Sequence, residues 1–173
     1  MKKLTILVLF LVLAKAGAAG ERQINNIGTD KGVIGVKIAV PDFQPMTPDP
    51  NAASRAALFN QVLRDDLSYS GGITLVSSSL YPLGKFSGPA DIKPDDWTTP
   101  SVDAQFIAFG NIRANGSLSI EARLWDLKAP AANREVMGNR LANTDDGEAG
   151  VRVAAHKLAD MIIDRIGDRK SVV

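Results

Sequence analysis

The chain has 173 residues, of which 45% are hydrophobic and 23% charged, with no cysteine and a formal charge of +1. That length and balance fit one ordinary globular domain with a real core and exclude disorder throughout. No basic cluster is interleaved with aromatics, so charge makes no case for nucleic acid.

Lys2 and Lys3 precede an unbroken apolar run from Leu4 to Ala14, and Ala16, Gly17, Ala18 and Ala19 follow. Residues 1–19 therefore read as a secretory signal peptide cleaved after Ala18 or Ala19. A retained anchor is the alternative, but a comfortable bilayer span needs about 20 apolar residues. Cleavage would remove Lys2, Lys3 and Lys15, leaving 17 of the 20 basic residues against 19 acidic ones, a net charge of −2. With no cysteine after the signal there is no site for a lipid anchor and no disulfide, and the expected product is soluble and periplasmic.

Residues 20–32 are polar and glycine-punctuated and read as a flexible amino-terminal arm. Ile24 and Ile27 are its only apolar groups that could be buried by pairing with a partner's sheet edge. The folded domain is expected over 33–168, with 169–173 as a tail.

Val33 to Val40 is rich in β-branched residues and stops at Pro41, which marks a first strand. Pro41 to Asn51 carries four prolines and is expected to lack regular structure. Ala56, Phe59, Leu63 and Leu67 then form a helical stripe, with Asn51 placed to cap its start and Gly71-Gly72 to end it. Ile73 to Val76 is a short strand. Ser77 to Pro100 reads as a long polar loop, with one helical turn at Asp95, Asp96 and Trp97 behind Pro94.

The clearest element is a β-hairpin from Asp103 to Asp126. Phe106, Ala108, Gly110 and Ile112 alternate on one arm, and Leu118, Ile120, Ala122 and Leu124 on the other. A two-residue turn at Asn115-Gly116 would mix the faces, whereas a three-residue turn of Ala114, Asn115 and Gly116 sets Ile112 opposite Leu118. Ile107 and Phe109 add apolar groups to the other face, so the first arm is expected to be the more central strand. Arg134 to Ala142 reads as a further strand exposed on one side. Glu148 to Ile166 is a helix with the stripe Val151, Ala154, Ala155, Leu158, Met161 and Ile162, closed by Gly167. The order implies an α/β (α+β) sandwich, with two helices on one face of a mixed sheet of about five strands.

Catalytic chemistry finds little support. His156 is the only histidine and sits in an amphipathic helix, no serine lies in a G-x-S-x-G context, and no metal-ligand spacing or phosphate loop occurs. Asp65-Asp66, Asp95-Asp96 and Asp145-Asp146 are adjacent pairs that diverge on a helix and serve solvation and capping better than acid–base work. Trp97 and Trp125 are read as packing groups. The residues alone therefore point to a non-enzyme, with no catalytic or metal-binding residue and no cofactor.

Several phrases in order resemble the TolB amino-terminal domain of the Tol-Pal system: IAVPDF at 38–43, Asp66-Leu67 before Ser70-Gly71, Val102-Asp103-Ala104 before Phe109-Gly110, RLWD at 123–126 and AHKLAD at 155–160. The resemblance implies a mixed sheet with two helices and a role in protein interaction rather than catalysis, in envelope integrity, protein import and cell division. It implies a TolA-like envelope protein as partner, engaged by the arm and domain, and so carries partner contact to Glu21, Arg22, Ile24 and Ile27; an exposed sheet edge is the other route by which the partner could be bound. Pal binding belongs to the family's following β-propeller, which is not expected in a chain ending at Val173; a truncated, split or stand-alone product would each fit. The alternative function is a stand-alone periplasmic regulator of a cell-wall or secretion component.

Overall fold

The structure is a computed structural model that describes residues 35–170, with side chains to residue 168. Residues 1–34, where the signal peptide, the arm and the start of the first strand are expected, and residues 171–173 lie outside the described residues.

Among the described residues the strands and α-helices follow in the order β1 Val36–Ala39, β2 Gln44–Pro45, α1 Ala52–Tyr69, β3 Ile73–Leu75, α2 Pro94–Trp97, β4 Phe106–Ala114, β5 Leu118–Asp126, β6 Glu135–Asn143 and α3 Glu148–Lys170. The strands form one mixed sheet in the order β3-β1-β4-β5-β6, with β2 also paired to β4. The first three strands pair in parallel with their neighbours, whereas β4, β5 and β6 run antiparallel. Both long helices pack on one face, as expected, and on each other. The main core lies between them and the sheet: Phe59, Leu63 and Leu67 of α1 and Val151, Leu158 and Ile162 of α3 meet Ile38, Ile120 and Leu124.

The central place of the first hairpin arm holds. Strand β4 lies between β1 and β5, and eight of its nine residues are buried. The turn, however, lies one residue further along than expected. Ala114 pairs with Leu118 and Ile112 with Ile120, so the three turn residues are Asn115, Gly116 and Ser117. Ala114 is buried and extends the strand, and Gly116 takes the left-handed conformation at φ +70°. The shift of two in register preserves the alternation, which is why the core-facing set is unchanged.

Four further expectations are corrected. Among the prolines of 41–50, Gln44–Pro45 forms a two-residue strand, because β1 stops short of the end of β4 and leaves that edge to be paired. Asn51 makes no side-chain cap: it already has helical angles, and Asp49 takes the role, its carboxylate accepting from the Asn51 N–H at 3.1 Å and its carbonyl from the Ala52 N–H at 2.9 Å. Gly167 does not close α3, which runs on to Lys170 with open space around the glycine. The polar loop before β4 also carries a second core. Its Phe86, Ile92 and Trp97 pack with Ile107 and Phe109 on the sheet face opposite the long helices. Trp97 is fully buried, with Phe86 edge-on at 4.9 Å and Tyr81 at 5.1 Å.

Candidate functional site

Two kinds of surface feature are available to a partner: the grooves beside the sheet and its free edge. The larger groove, about 380 Å³, runs over β5 and β6 between Glu121, Arg123, Glu135, Gly138, Asn139 and Arg140. Its charges already have partners. Arg113 donates to Glu121 at 2.9 Å, Arg123 pairs with Glu135, and the Arg140 Nε donates to Ser119 at 2.9 Å. Hydrogen bonds from Asn111 and Arg113 hold the Glu121 carboxyl below the usual carboxylate range. Trp125 borders the same face, edge-on to Phe109 at 5.0 Å, with the Arg134 guanidinium 5.8 Å from its ring centre.

A second groove, of 260 Å³, lies between the proline segment and the loop after β3, lined by Pro41, Asp42, Arg64, Tyr81, Leu83 and Phe86. The Tyr81 hydroxyl donates to the Val76 carbonyl at 2.9 Å and accepts from the Val40 N–H at 2.9 Å, tying together the ends of β1 and β3. Burial pushes the pKa of this hydroxyl up, against the smaller opposing effect of the Val40 hydrogen bond. Arg64 and Asp42 pair across the groove at 2.6 Å. Each polar group named here serves the fold, and neither groove brings together a nucleophile with a base.

The residues weighed for chemistry are dispersed. His156 Nδ1 lies 2.5 Å from Asp66 Oδ2 and joins α3 to α1. Asp95 and Asp96 stand in the first turn of α2, where acidic groups meet the positive helix end. Asp145 accepts from the Gly147 N–H at 2.8 Å ahead of α3, and Asp146 accepts from the Gly116 N–H of the hairpin turn at 3.0 Å. Among the described residues no group of three or more His, Asp or Glu side chains could hold a metal ion, and no helix is long and apolar enough to cross a membrane. Glu21, Arg22, Ile24 and Ile27 lie outside the described residues.

The sequence offers an exposed sheet edge as a route to a partner without saying which strand forms it; at the hairpin side of the sheet that strand is β6. In β4 the Ile112 carbonyl accepts from the Met46 N–H at 2.8 Å and the Ala114 N–H donates to Thr47 at 3.1 Å, so the backbone groups of both residues point away from β5. Their partners Ile120 and Leu118 therefore direct their own groups toward β6, and the alternation carries across it. Met137, Asn139 and Leu141 bond back to β5, while Gly138, Arg140 and Ala142 present N–H and C=O groups to the open side. Among the described residues only β5 pairs with this nine-residue strand.

A sequence model described as the TolB amino-terminal domain matches residues 28–132, more than half of the chain. The chain belongs to the TolB amino-terminal domain family. The matched range begins just after Ile27 and ends before β6, so Glu21, Arg22, Ile24 and Ile27 and the phrase at 155–160 fall outside it. Solved structures with a similar course include the LpoB C-terminal domain from Salmonella enterica, at 18% identity and a TM-score of 0.46, covering 64% of this chain and 84% of that one. A hypothetical protein from Chlamydia trachomatis has 16% identity and a TM-score of 0.43, covering 75% and 94%. The PelC dodecamer from Paraburkholderia phytofirmans has 13% identity and a TM-score of 0.40, covering 76% and 87%.

Proposed function

We propose that this TolB amino-terminal domain family member is a non-catalytic, periplasmic protein-interaction module of the Tol-Pal type. It is exported by its cleaved signal peptide and engages a TolA-like envelope protein through its amino-terminal arm. The observation that carries the reading is the family match over residues 28–132. The composition of the preceding segment supports it: a basic start, an apolar run and small residues fit export, and a polar arm with two isoleucines fits pairing with a partner's strand. Glu21 and Arg22 supply charges just before the isoleucines and help set register on the partner. The folded domain then serves as the mount for the arm.

Site-specific photo-cross-linking from position 24 in intact cells tests this. Capture of a TolA-like protein is the expected result. Capture of a cell-wall enzyme or secretion component would favour a stand-alone regulator, and capture of nothing, with an intact envelope after deletion of the gene, would refute the adaptor role.

A further inference from the structure

We infer that the free edge of β6 is a self-pairing surface, through which two copies of this chain join their sheets antiparallel about a two-fold axis at Asn139. The face alternation limits the choice of register. Directly opposed residues must share a face, so Met137, Asn139 and Leu141 of one copy have to meet residues on the helix side of the other. Centring the axis on Asn139 sets Met137 opposite Leu141 of the second copy and Gly138 opposite its Arg140. Of the neighbouring centres, Arg140 would oppose two arginines, and Gly138 would set the apolar Met137 opposite Asn139.

Three observations agree on that register. The outward N–H and C=O groups belong to Gly138 and Arg140, which are the residues that would exchange hydrogen bonds across the join, while Asn139 would form the closer, non-hydrogen-bonded pair with itself. The charges match: the Glu135 carboxylate lies over Gly138, where a Cβ would overlap it, so Arg140 of the second copy would meet Glu135, and the symmetry supplies this pair twice. The helices also fit. Because α3 packs over both β5 and β6, strand spacing of about 4.8 Å on each side of the axis would place the two copies of α3 roughly 10 Å apart, a normal packing distance. No proline interrupts residues 135–143.

The chain has no cysteine, so Asn139→Cys supplies one unique reporter. The close pair across the axis brings two such residues within disulfide reach, and mild oxidation of the purified chain should give a covalent dimer, while Ser119→Cys should not. Sedimentation velocity should show reversible dimerisation of the unmodified chain. Arg140→Glu should weaken it by at least about tenfold, and adding Glu135→Arg should restore it. Ala142→Pro removes an outward N–H without touching the β5 ladder, and should weaken the dimer while leaving the circular dichroism spectrum unchanged. A monomer throughout the concentration range, or a dimer indifferent to Arg140→Glu and Ala142→Pro, would overturn the proposal.

Discussion

Asn60 does for Phe43 what a neighbouring strand would do. Its side-chain oxygen accepts from the Phe43 N–H at 2.9 Å and its amide donates to the Phe43 carbonyl at 3.3 Å, all within the core at the point where the chain leaves β1 for β2. Asn60→Ala would leave both backbone groups buried without partners, at about 1–3 kcal/mol for an unsatisfied group. Urea unfolding should show a loss of about 3 kcal/mol; a loss below about 1 would mean that Phe43 finds other partners. Gly110 is the second residue on which this corner depends. A Cβ there would overlap the Glu121 carbonyl oxygen of the adjoining strand and crowd the Phe43 ring, and backbone cannot move aside as a side-chain tip can. Gly110→Ala should therefore cost at least about 2–3 kcal/mol by the same measurement, within the usual range for overpacking. Neither role was legible in the sequence. Asn60 sits on a helix where an amide looks like an ordinary surface group, and its partner lies 17 residues away across a turn whose path depends on the sheet.

At the scale of elements, the hairpin shows what alternation can and cannot decide. A period of two assigned Ile112, Leu118, Ile120 and Leu124 to the core face, and they are there. Any even shift satisfies the same pattern, so the choice between neighbouring registers fell to Ala114, whose small side chain fits a turn and a strand equally well. Burial of that methyl beneath the sheet decides for the strand. The turn then places Gly116 at φ +70° with nothing within 4 Å of where a Cβ would stand, so backbone strain rather than a clash governs substitution. Gly116→Ala should cost about 1–2 kcal/mol, and Gly116→Asn less, as measured by thermal unfolding. The loop between β3 and β4 defeated pattern reading for a different reason. Phe86, Ile92 and Trp97 are spaced irregularly, since an irregular segment, the end of a short turn and the single turn of α2 deliver them rather than a repeating element. Asp91 holds one of those turns closed, accepting from the Ser87 N–H, the Ser87 hydroxyl and the Gly88 N–H at 2.9, 3.1 and 2.9 Å.

For the whole molecule, hydrogen bonds hold the carboxyls of Asp91 and Glu121 below their ordinary pKa. A group depressed in the folded state stabilises above its unfolded pKa and releases that stability as pH falls through the folded value. Stability should accordingly decline as pH drops below about 4, the ordinary carboxylate range. Both groups face solvent, so each contribution is small and screened by salt. Asp91→Asn should lower stability at neutral pH and flatten the acid limb of a pH series of urea midpoints; an unchanged limb would remove Asp91 from this role.

The broad architecture was legible because helix stripes and strand alternation report directly on which faces are buried. The edge of β6 was not, because an exposed strand interrupted by Glu135, Asn139 and Arg140 reads the same whether its outer side meets water or a partner. The division of labour proposed for the molecule is that a stable sheet and helix pair support an arm that carries the binding chemistry. Titration calorimetry of the purified chain against a soluble TolA-like protein from the same organism tests that most directly, with Ile24→Asp/Ile27→Asp as the comparison. Saturable binding that falls at least about tenfold in the double variant, at unchanged unfolding temperature, is the expected result. Equal binding by both chains, or none by either, would contradict it.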